Sequence, residues 1–217
     1  RKSATLAVQW PAADLPSMTI PVDRTVELVH LDPRIDPVKR ASYLLPSPLI
    51  ELSTPVREFA SGLLDPRMPV GEAIGTVYHA IYEGFSYTQG ATTVATTLPE
   101  VINARAGVCQ DFAHLAVASF RAVGLPARYV SGYIETYPPP GEEKLAGSDA
   151  THAWASVYIP ERGWIDLDPT NDQLADSRYL VTAWGRDFRD VSPLKGVIFS
   201  ESRDSVLDVA VDVTRLD

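Results

Sequence analysis

Cys109 is the one cysteine in a sequence of 217 residues, and its position suggests a nucleophile. It follows Gly107-Val108 and stands just ahead of Phe112 to Val123, an apolar run that predicts a central, buried helix beginning at the cysteine. The unpaired backbone N–H groups and the dipole at such a helix start favour a thiolate and could hold an oxyanion. A buried, inert cysteine is the alternative, and position alone does not decide between them.

His152 and Asp168 could complete the chemistry, because a cysteine nucleophile needs an imidazole and the imidazole needs an acceptor on its other nitrogen. His152 begins one predicted strand and Asp168 ends the next. Placing the two residues directly opposite each other pairs Val157 with Gly163 and predicts a five-residue loop, or a bulge that restores the register. A tight turn would set Asp168 opposite Ala155, on the wrong face. For Asp168 alone, an Asp-Pro turn is the simpler interpretation.

Four further residues are candidates for the wall of such a site. Trp154 and Trp164 share strand faces with the histidine and the aspartate, and both could exclude water around an ion pair. Gln110 follows the cysteine, and Tyr87 is a candidate second oxyanion donor. Ordinary packing explains each aromatic residue at least as well.

Metal and cofactor sites are not expected. A single cysteine excludes an internal disulfide and a thiolate cluster. His30, His79 and His114 have no metal-ligand spacing, so a metal-dependent enzyme is a remote alternative.

The net charge of −9 argues against nucleic acid or an anionic membrane as a partner, since both attract clustered Lys and Arg. No run approaches the ~18 consecutive apolar residues of a membrane span. Arg1 to Trp10 lack an apolar signal core, and we therefore expect a cytoplasmic protein.

The pattern along the chain predicts two regions. Residues 1–45 are β-rich, are broken by prolines and predict strand and loop, whereas residues 46–217 carry helical periodicity first and alternating, strand-like runs afterwards. A short helix that opens at Thr97 is expected to end at Gly107, and Gly124 followed by Pro126 is expected to end the helix that begins at Cys109. The predicted strands are Arg128 to Glu135, His152 to Ile159, Gly163 to Asp168, Tyr179 to Trp184, Gly196 to Phe199 and Leu207 to Val213. Helices followed by an antiparallel sheet make an α+β domain. The proline- and glycine-rich stretch from Tyr137 to Ala150 directly precedes His152, and we interpret it as a lid that contacts substrate.

Four segments together resemble bacterial transglutaminase-like proteins. Gly107 to His114 (GVCQDFAH) and Gly124 to Tyr133 (GLPARYVSGY) are similar to that family's nucleophile segment. Asp149 to Trp154 (DATHAW) and Gly163 to Asn171 (GWIDLDPTN) are similar to its histidine and aspartate segments, in the family's order. The resemblance extends from about Ser53 to Val213.

This resemblance implies a papain-like α+β core in which the Cys109 helix packs on an antiparallel sheet, with Cys109, His152 and Asp168 as the triad. Family members usually carry a β-rich module ahead of this core, and residues 1–45 look like a reduced version of it. The calcium dependence of the animal enzymes does not carry over, because no acidic loop resembles their sites.

The implied activity is acyl transfer on a peptide or protein amide through a thioester. Water as acceptor would make the protein an amidase or peptidase, and an amine would make it a protein-glutamine gamma-glutamyltransferase. The alternative is a non-catalytic module that keeps the fold and binds peptides in the cleft.

Overall fold

The computed structural model describes residues 37–65, 67–136, 150–159, 162–192, 211 and 213, and within them helices come first and an antiparallel sheet follows. The helices are α1 (Pro37–Ser42), α2 (Thr54–Leu63), α3 (Val70–Gly84), α4 (Leu98–Ala104), α5 (Cys109–Ala122) and α6 (Phe188–Val191). The strands are β1 (Ser86–Tyr87), β2 (Ala106–Gly107), β3 (Ala127–Ile134), β4 (Ala150–Ile159), β5 (Gly163–Asp168), β6 (Gln173–Leu174) and β7 (Tyr179–Gly185). The predicted α+β class is confirmed.

Helix α5 is the centre of the domain, as its apolar sequence predicted. It packs against β3, β4 and α2, and its side chains Leu115, Val117 and Phe120 are fully buried. Burying each contributes about 1.5–3 kcal/mol. Gly124, with φ of 85°, allows the chain to turn from the end of α5 into β3. None of the described helices is both long and apolar enough to cross a membrane.

The five-stranded sheet has the order β6-β5-β4-β3-β7, with antiparallel neighbours throughout. β4 lies in the middle, and its His152 is paired with Gly132 of β3. A Cβ at Gly132 would collide with the backbone oxygen of Leu180 and the ring of Trp154. Glycine is therefore required at position 132, opposite His152, because the neighbouring strand β7 and the Trp154 ring both approach its backbone.

The register between β4 and β5 differs from the one expected. Ile159 pairs with Gly163, which leaves three residues, 160–162, between the strands, so the predicted five-residue loop is wrong. Gly163 has φ of 86°, a conformation that suits a short hairpin connection. Relative to a register that pairs His152 directly with Asp168, the observed register is shifted by two residues. A shift of two residues keeps each side chain on the same face of the sheet. Asp168 therefore stays on the face of His152, as its diagonal neighbour.

Other boundaries differ locally from the sequence prediction. The short helix expected to end at Gly107 ends earlier, because Arg105 adopts the left-handed conformation with φ of 50°. The next residues form β2, which pairs in parallel with β1. Pro37 to Ser42 forms α1 inside the segment predicted to be strand and loop. A proline at the first helical position already has a helical φ, which explains this helix.

Several predictions fall outside the described residues. These are the β-rich runs before residue 37, the proposed lid up to residue 149, the strand expected at 196–199, and most of the strand expected at 207–213. The division at residue 45 stays a prediction.

A buried arginine, Arg121, connects three parts of the described chain. Its guanidinium donates hydrogen bonds to the carbonyl oxygens of Leu45 at 3.1 Å, Ala127 at 2.9 Å and Arg186 at 2.7 Å. Burial lowers the pKa of Arg121 to about 10, partly opposed by the charge of Asp187, so the group remains cationic at neutral pH. Arg121 thus holds the chain ahead of α2 against the C-terminal end of α5 and the end of β7.

Candidate active site

Cys109 occupies the first position of α5, and its thiol lies near enough to the imidazole of His152 to raise the pKa of that ring. Three backbone N–H groups of the first helical turn have no partner within the helix. Cys109 as a whole residue is half-buried. A polarised thiol beside free N–H donors is the arrangement expected for attack on a carbonyl and for binding the resulting oxyanion.

His152 lies between the cysteine and an acidic group. Its Nε2 is 2.6 Å from Oδ2 of Asp168, which leaves Nδ1 for the thiol of Cys109. His152 is 8% exposed and Asp168 is fully buried. Cys109, His152 and Asp168, which sequence spacing alone could not place in contact, are therefore brought together in the order that a triad requires.

The carboxylate of Asp168 accepts several further hydrogen bonds. Its Oδ1 accepts from the backbone N–H of Thr170 at 2.8 Å and of Asn171 at 3.3 Å. Its Oδ2 accepts from the amide of Asn171 and from the hydroxyl of Tyr179, both at 2.6 Å. A buried carboxylate needs such donors, because without them it would take up a proton.

The pKa values of the pair follow from these contacts. Burial alone would lower the pKa of His152, but the hydrogen bonds and charges of Asp168 and Cys109 outweigh it and raise that pKa to about 9. Burial raises the pKa of Asp168, but the hydrogen bonds from His152, Tyr179 and Asn171 lower it overall. An imidazolium paired with a carboxylate is therefore stable at neutral pH.

Asp111, in the same helical turn as the cysteine, is held by donors other than the thiol. Its Oδ2 accepts hydrogen bonds from the backbone N–H of Val108 at 2.9 Å and the hydroxyl of Thr92 at 2.6 Å. A Cβ at Gly107 would come within 2.9 Å of this carboxylate, which explains the glycine before the helix. The acidic group therefore fixes the start of α5 and the loop that carries Thr92.

Trp154 lies against the histidine, with its role as a site wall still a prediction, whereas Trp164 packs elsewhere. The Trp154 ring stacks on His152 with centroids 6.1 Å apart, and its Nε1 donates to Asp166 at 3.0 Å. The contacts that the structure describes for Trp164 are with Tyr43, Tyr158 and the guanidinium of Arg128. Trp164 therefore lies toward the opposite end of β5, and its role as a site wall stays a prediction.

Tyr87 and Gln110 are both placed close to the cysteine. β1 pairs with β2 so that Tyr87 lies beside Gly107, and its ring packs edge-on to Phe112 at 6.3 Å. Burial and the charge of Cys109 raise the pKa of Tyr87, so its hydroxyl stays a hydrogen-bond donor at neutral pH. Gln110 is half-buried in the first turn of α5. Oxyanion and wall roles for these two residues stay predictions.

The other described histidines lie apart from this cluster. His114 is buried, and its Nε2 accepts the backbone N–H of Phe188 at 3.1 Å. His79 forms an exposed pair with Asp172 at 3.0 Å. Among the described residues, no group of three or more His, Cys, Asp or Glu side chains could hold a metal ion.

Sequence reasoning missed two residues that contact Asp168. Tyr179 was assigned only to a strand, and Asn171 only to a resembling segment, yet both donate to Asp168. Asn171 carried a local signal, because an amide three residues after an aspartate can close a turn onto it. Tyr179 carried none, since its contact depends on the path of the chain from β5 to β7.

The family model of the transglutaminase-like superfamily matches residues 57–169. An uncharacterised protein of Mycobacterium tuberculosis (strain H37Rv) is 52% identical over 167 residues, which is 75% of this chain and 53% of that protein. The chain therefore spans about half the length of such curated relatives. A protein-glutamine gamma-glutamyltransferase of Pseudomonas aeruginosa is 35% identical over 92 residues, covering 41% of this chain and 14% of that enzyme.

A solved structure supports the same assignment. The crystal structure of a candidate cysteine protease from Cytophaga hutchinsonii aligns with a TM-score of 0.61 and 30% identity, covering 73% of this chain and 50% of that one. The matched family model covers the segment from α2 to the end of β5, which includes the cysteine, the histidine and the aspartate. The chain therefore belongs to the transglutaminase-like superfamily.

Proposed function

We propose that this protein transfers the acyl group of a peptide or protein amide through a thioester on Cys109. The observation that carries the proposal is the series Cys109, His152 and Asp168, in which a thiol at a helix start neighbours a histidine held 2.6 Å from a buried carboxylate. Family membership adds support, since crosslinking transferases, amidases and cysteine proteases use this arrangement.

The proposed reaction begins with attack of the thiolate of Cys109 on the amide carbonyl carbon. The oxyanion that forms is held by backbone N–H groups of the first turn of α5. The imidazolium of His152 gives its proton to the leaving nitrogen, the C–N bond breaks, and the amine departs. Asp168 keeps the imidazole oriented and stabilises its protonated form throughout.

The thioester is then resolved by a second nucleophile. The neutral imidazole of His152 takes a proton from water or from an amine, which attacks the thioester carbon and expels the thiolate. Water yields a carboxylate, and an amine yields a new amide. The similarity to a protein-glutamine gamma-glutamyltransferase supports the amine route, and the similarity to a candidate cysteine protease supports the water route.

The experiment that tests the proposal measures the rate of Cys109 alkylation by iodoacetamide between pH 4 and 10. It compares the wild type with His152→Ala and with His79→Ala, a matched control at an exposed histidine. We expect fast labelling well below pH 8 in the wild type and the control, and a loss of about 100-fold in His152→Ala. Slow labelling, equal in all three proteins, would refute a working nucleophile and favour the peptide-binding module.

The acyl acceptor, water or an amine, is then identified in reactions with a glutamine-containing peptide as acyl donor, run with and without a primary amine. Mass spectrometry should detect an acyl adduct on Cys109 that is absent from Cys109→Ala. Release of a carboxylate in both mixtures identifies a hydrolase, whereas incorporation of the amine identifies a transferase. Absence of both products and of the adduct, across a panel of amide substrates, would contradict acyl transfer.

A further inference from the structure

A chain of three side chains leads from the protein surface to the aspartate of the triad. Arg178 donates to Oε1 of Gln173 at 3.2 Å, and Nε2 of Gln173 donates to the hydroxyl oxygen of Tyr179 at 2.7 Å. The hydroxyl of Tyr179 in turn donates to Oδ2 of Asp168 at 2.6 Å. This is the same oxygen atom that contacts His152.

The direction of every hydrogen bond in this chain is determined by chemistry. A guanidinium has only donors, so the oxygen of the Gln173 amide must face Arg178 and its nitrogen must face Tyr179. Because that nitrogen can only donate, the hydroxyl proton of Tyr179 is left for the carboxylate of Asp168. Burial and the charge of Asp168 raise the pKa of Tyr179, which keeps the proton in place.

The surrounding structure holds these groups rigidly. Gln173 lies directly opposite Asp168 in the pairing of β5 with β6. The guanidinium of Arg178 is held by Asp176 through contacts of 2.7 to 3.0 Å. The Tyr179 ring packs edge-on against Trp154, with centroids 5.2 Å apart. Removing only the hydroxyl would therefore leave the aromatic packing intact.

We propose that Tyr179 and Gln173 are positioning residues, which fix the orientation and the charged state of Asp168 and thereby the imidazole of His152. These contacts have a catalytic role only if the proposed function is correct, and the inference rests on the proposed function in that respect. In this proposal, residues in the segment after β5 keep the carboxylate of Asp168 ionised and oriented toward His152. Neither residue touches the substrate in this scheme.

Three variants test the inference. Tyr179→Phe removes the last donor and keeps the ring. Gln173→Glu keeps the shape but places a carboxylate where the amide nitrogen lies, so the Tyr179 hydroxyl turns toward position 173 and a like charge is added near Asp168. Thr182→Val is the matched control. Thr182 lies on β7, as Tyr179 does, and the substitution removes the hydrogen bond that its hydroxyl donates to the carbonyl oxygen of Ser131 on β3, without touching Asp168.

The readout is the acid limb of the pH profile of Cys109 alkylation, extended below pH 4 because the pKa of Asp168 lies below its ordinary 3.8, into the range in which protonation of Asp168 removes the charge that stabilises the imidazolium. Losing a donor raises the pKa of a carboxylate, so Tyr179→Phe should move the limb about one pH unit higher, equivalent to about a tenfold loss of rate there. Gln173→Glu should move it further. Thr182→Val should superimpose on the wild type.

An unchanged acid limb in both Tyr179→Phe and Gln173→Glu, with normal circular dichroism, would overturn the inference while leaving a reactive Cys109 intact. If the wild-type thiol proves unreactive, the proposed function fails instead, and the positioning role is decided by NMR. The chemical shift of the Asp168 side-chain carboxyl carbon then reports protonation of Asp168 directly. A shift in that titration in Tyr179→Phe supports the inference, and identical curves refute it.

Discussion

Two buried histidines in this domain differ in charge at neutral pH, His152 being cationic and His114 neutral, although both are about equally shielded from water. His152 is 8% exposed and His114 is 4% exposed. The pKa of His152 is raised to about 9, whereas burial lowers that of His114 to about 4, with the charge of Asp187 opposing and that of Arg121 adding to this effect. Burial disfavours the charged form in both cases, so burial does not explain the difference.

The difference lies in the partners. His152 contacts a carboxylate at 2.6 Å, a group that accepts a proton and stabilises an imidazolium. The Nε2 of His114 accepts a backbone N–H from Phe188, a contact that only a neutral ring nitrogen can make. The proposed reaction assigns proton exchange to His152, whereas His114 serves as a fixed acceptor that joins α5 to α6.

The largest effect is expected from removing the charge beside His152. In Asp168→Asn, only Cys109 is left to oppose the effect of burial, so the pKa of His152 should fall from about 9. We expect turnover to drop about 10²–10⁴-fold, and the alkaline limb of the rate profile to move to lower pH. Steady-state kinetics from pH 5 to 10 measure both quantities. A limb that stays near pH 9 would show that Asp168 does not set the charge of His152.

Folding stability should depend on pH in opposite directions at the two histidines. The folded pKa of His152 lies above its ordinary value, so its stabilisation is complete below pH 6.5 and is lost as pH rises through about 9. The size is about 3 kcal/mol as an order of magnitude. Urea unfolding between pH 6 and 10 should show this loss in the wild type and little of it in His152→Gln. Parallel curves for the two proteins would contradict the linkage.

A smaller effect is expected at His114. His114→Leu leaves the N–H of Phe188 without an acceptor and should lower the free energy of unfolding by about 1–3 kcal/mol at neutral pH. His114→Gln, which retains an acceptor, should lose less. Because the pKa of His114 is about 4, the wild type should also lose stability as pH falls from 6.5 toward 4, and His114→Gln should not. A slower alkylation of Cys109 in either variant would reveal coupling between the two histidines.

The smallest effect is expected at the exposed pair of His79 and Asp172. Its 3.0 Å contact also pairs a histidine with an aspartate, but the His79 side chain is 61% exposed and solvent screens the interaction. His79→Gln should leave thermal unfolding and the pH profile of Cys109 alkylation unchanged within error. A clear loss of activity would mean that the turn carrying Asn171 depends on this surface pair.

The sequence was sufficient to predict features that depend on local pattern. The apolar run after Cys109 predicted α5, and the glycine and proline after Val123 predicted its end. The alternation from Arg128 to Asp168 predicted the three strands at the centre of the sheet. These signals are local, because periodicity and turn chemistry act over a few residues.

The sequence was insufficient where geometry depends on how the strands meet. Both registers considered for β4 and β5 were displaced from the observed one, since the turn at Gly163 was shorter than a direct pairing of His152 with Asp168 requires. The contact between Tyr179 and Asp168 was not foreseen for the same reason. It joins residues on strands that are not neighbours in the sheet, and no pattern of local spacing encodes it.

The buried guanidinium of Arg121 has a practical consequence for protein engineering. Its partners include the carbonyl oxygen of Leu45, which lies ahead of every residue in the matched family region. A recombinant fragment trimmed to residues 57–169 would strip two of the three carbonyl partners from a buried cation, those of Leu45 and Arg186. A fragment that keeps residues 43 to 192 retains all three, and is the shorter design we would choose for expression and crystallisation.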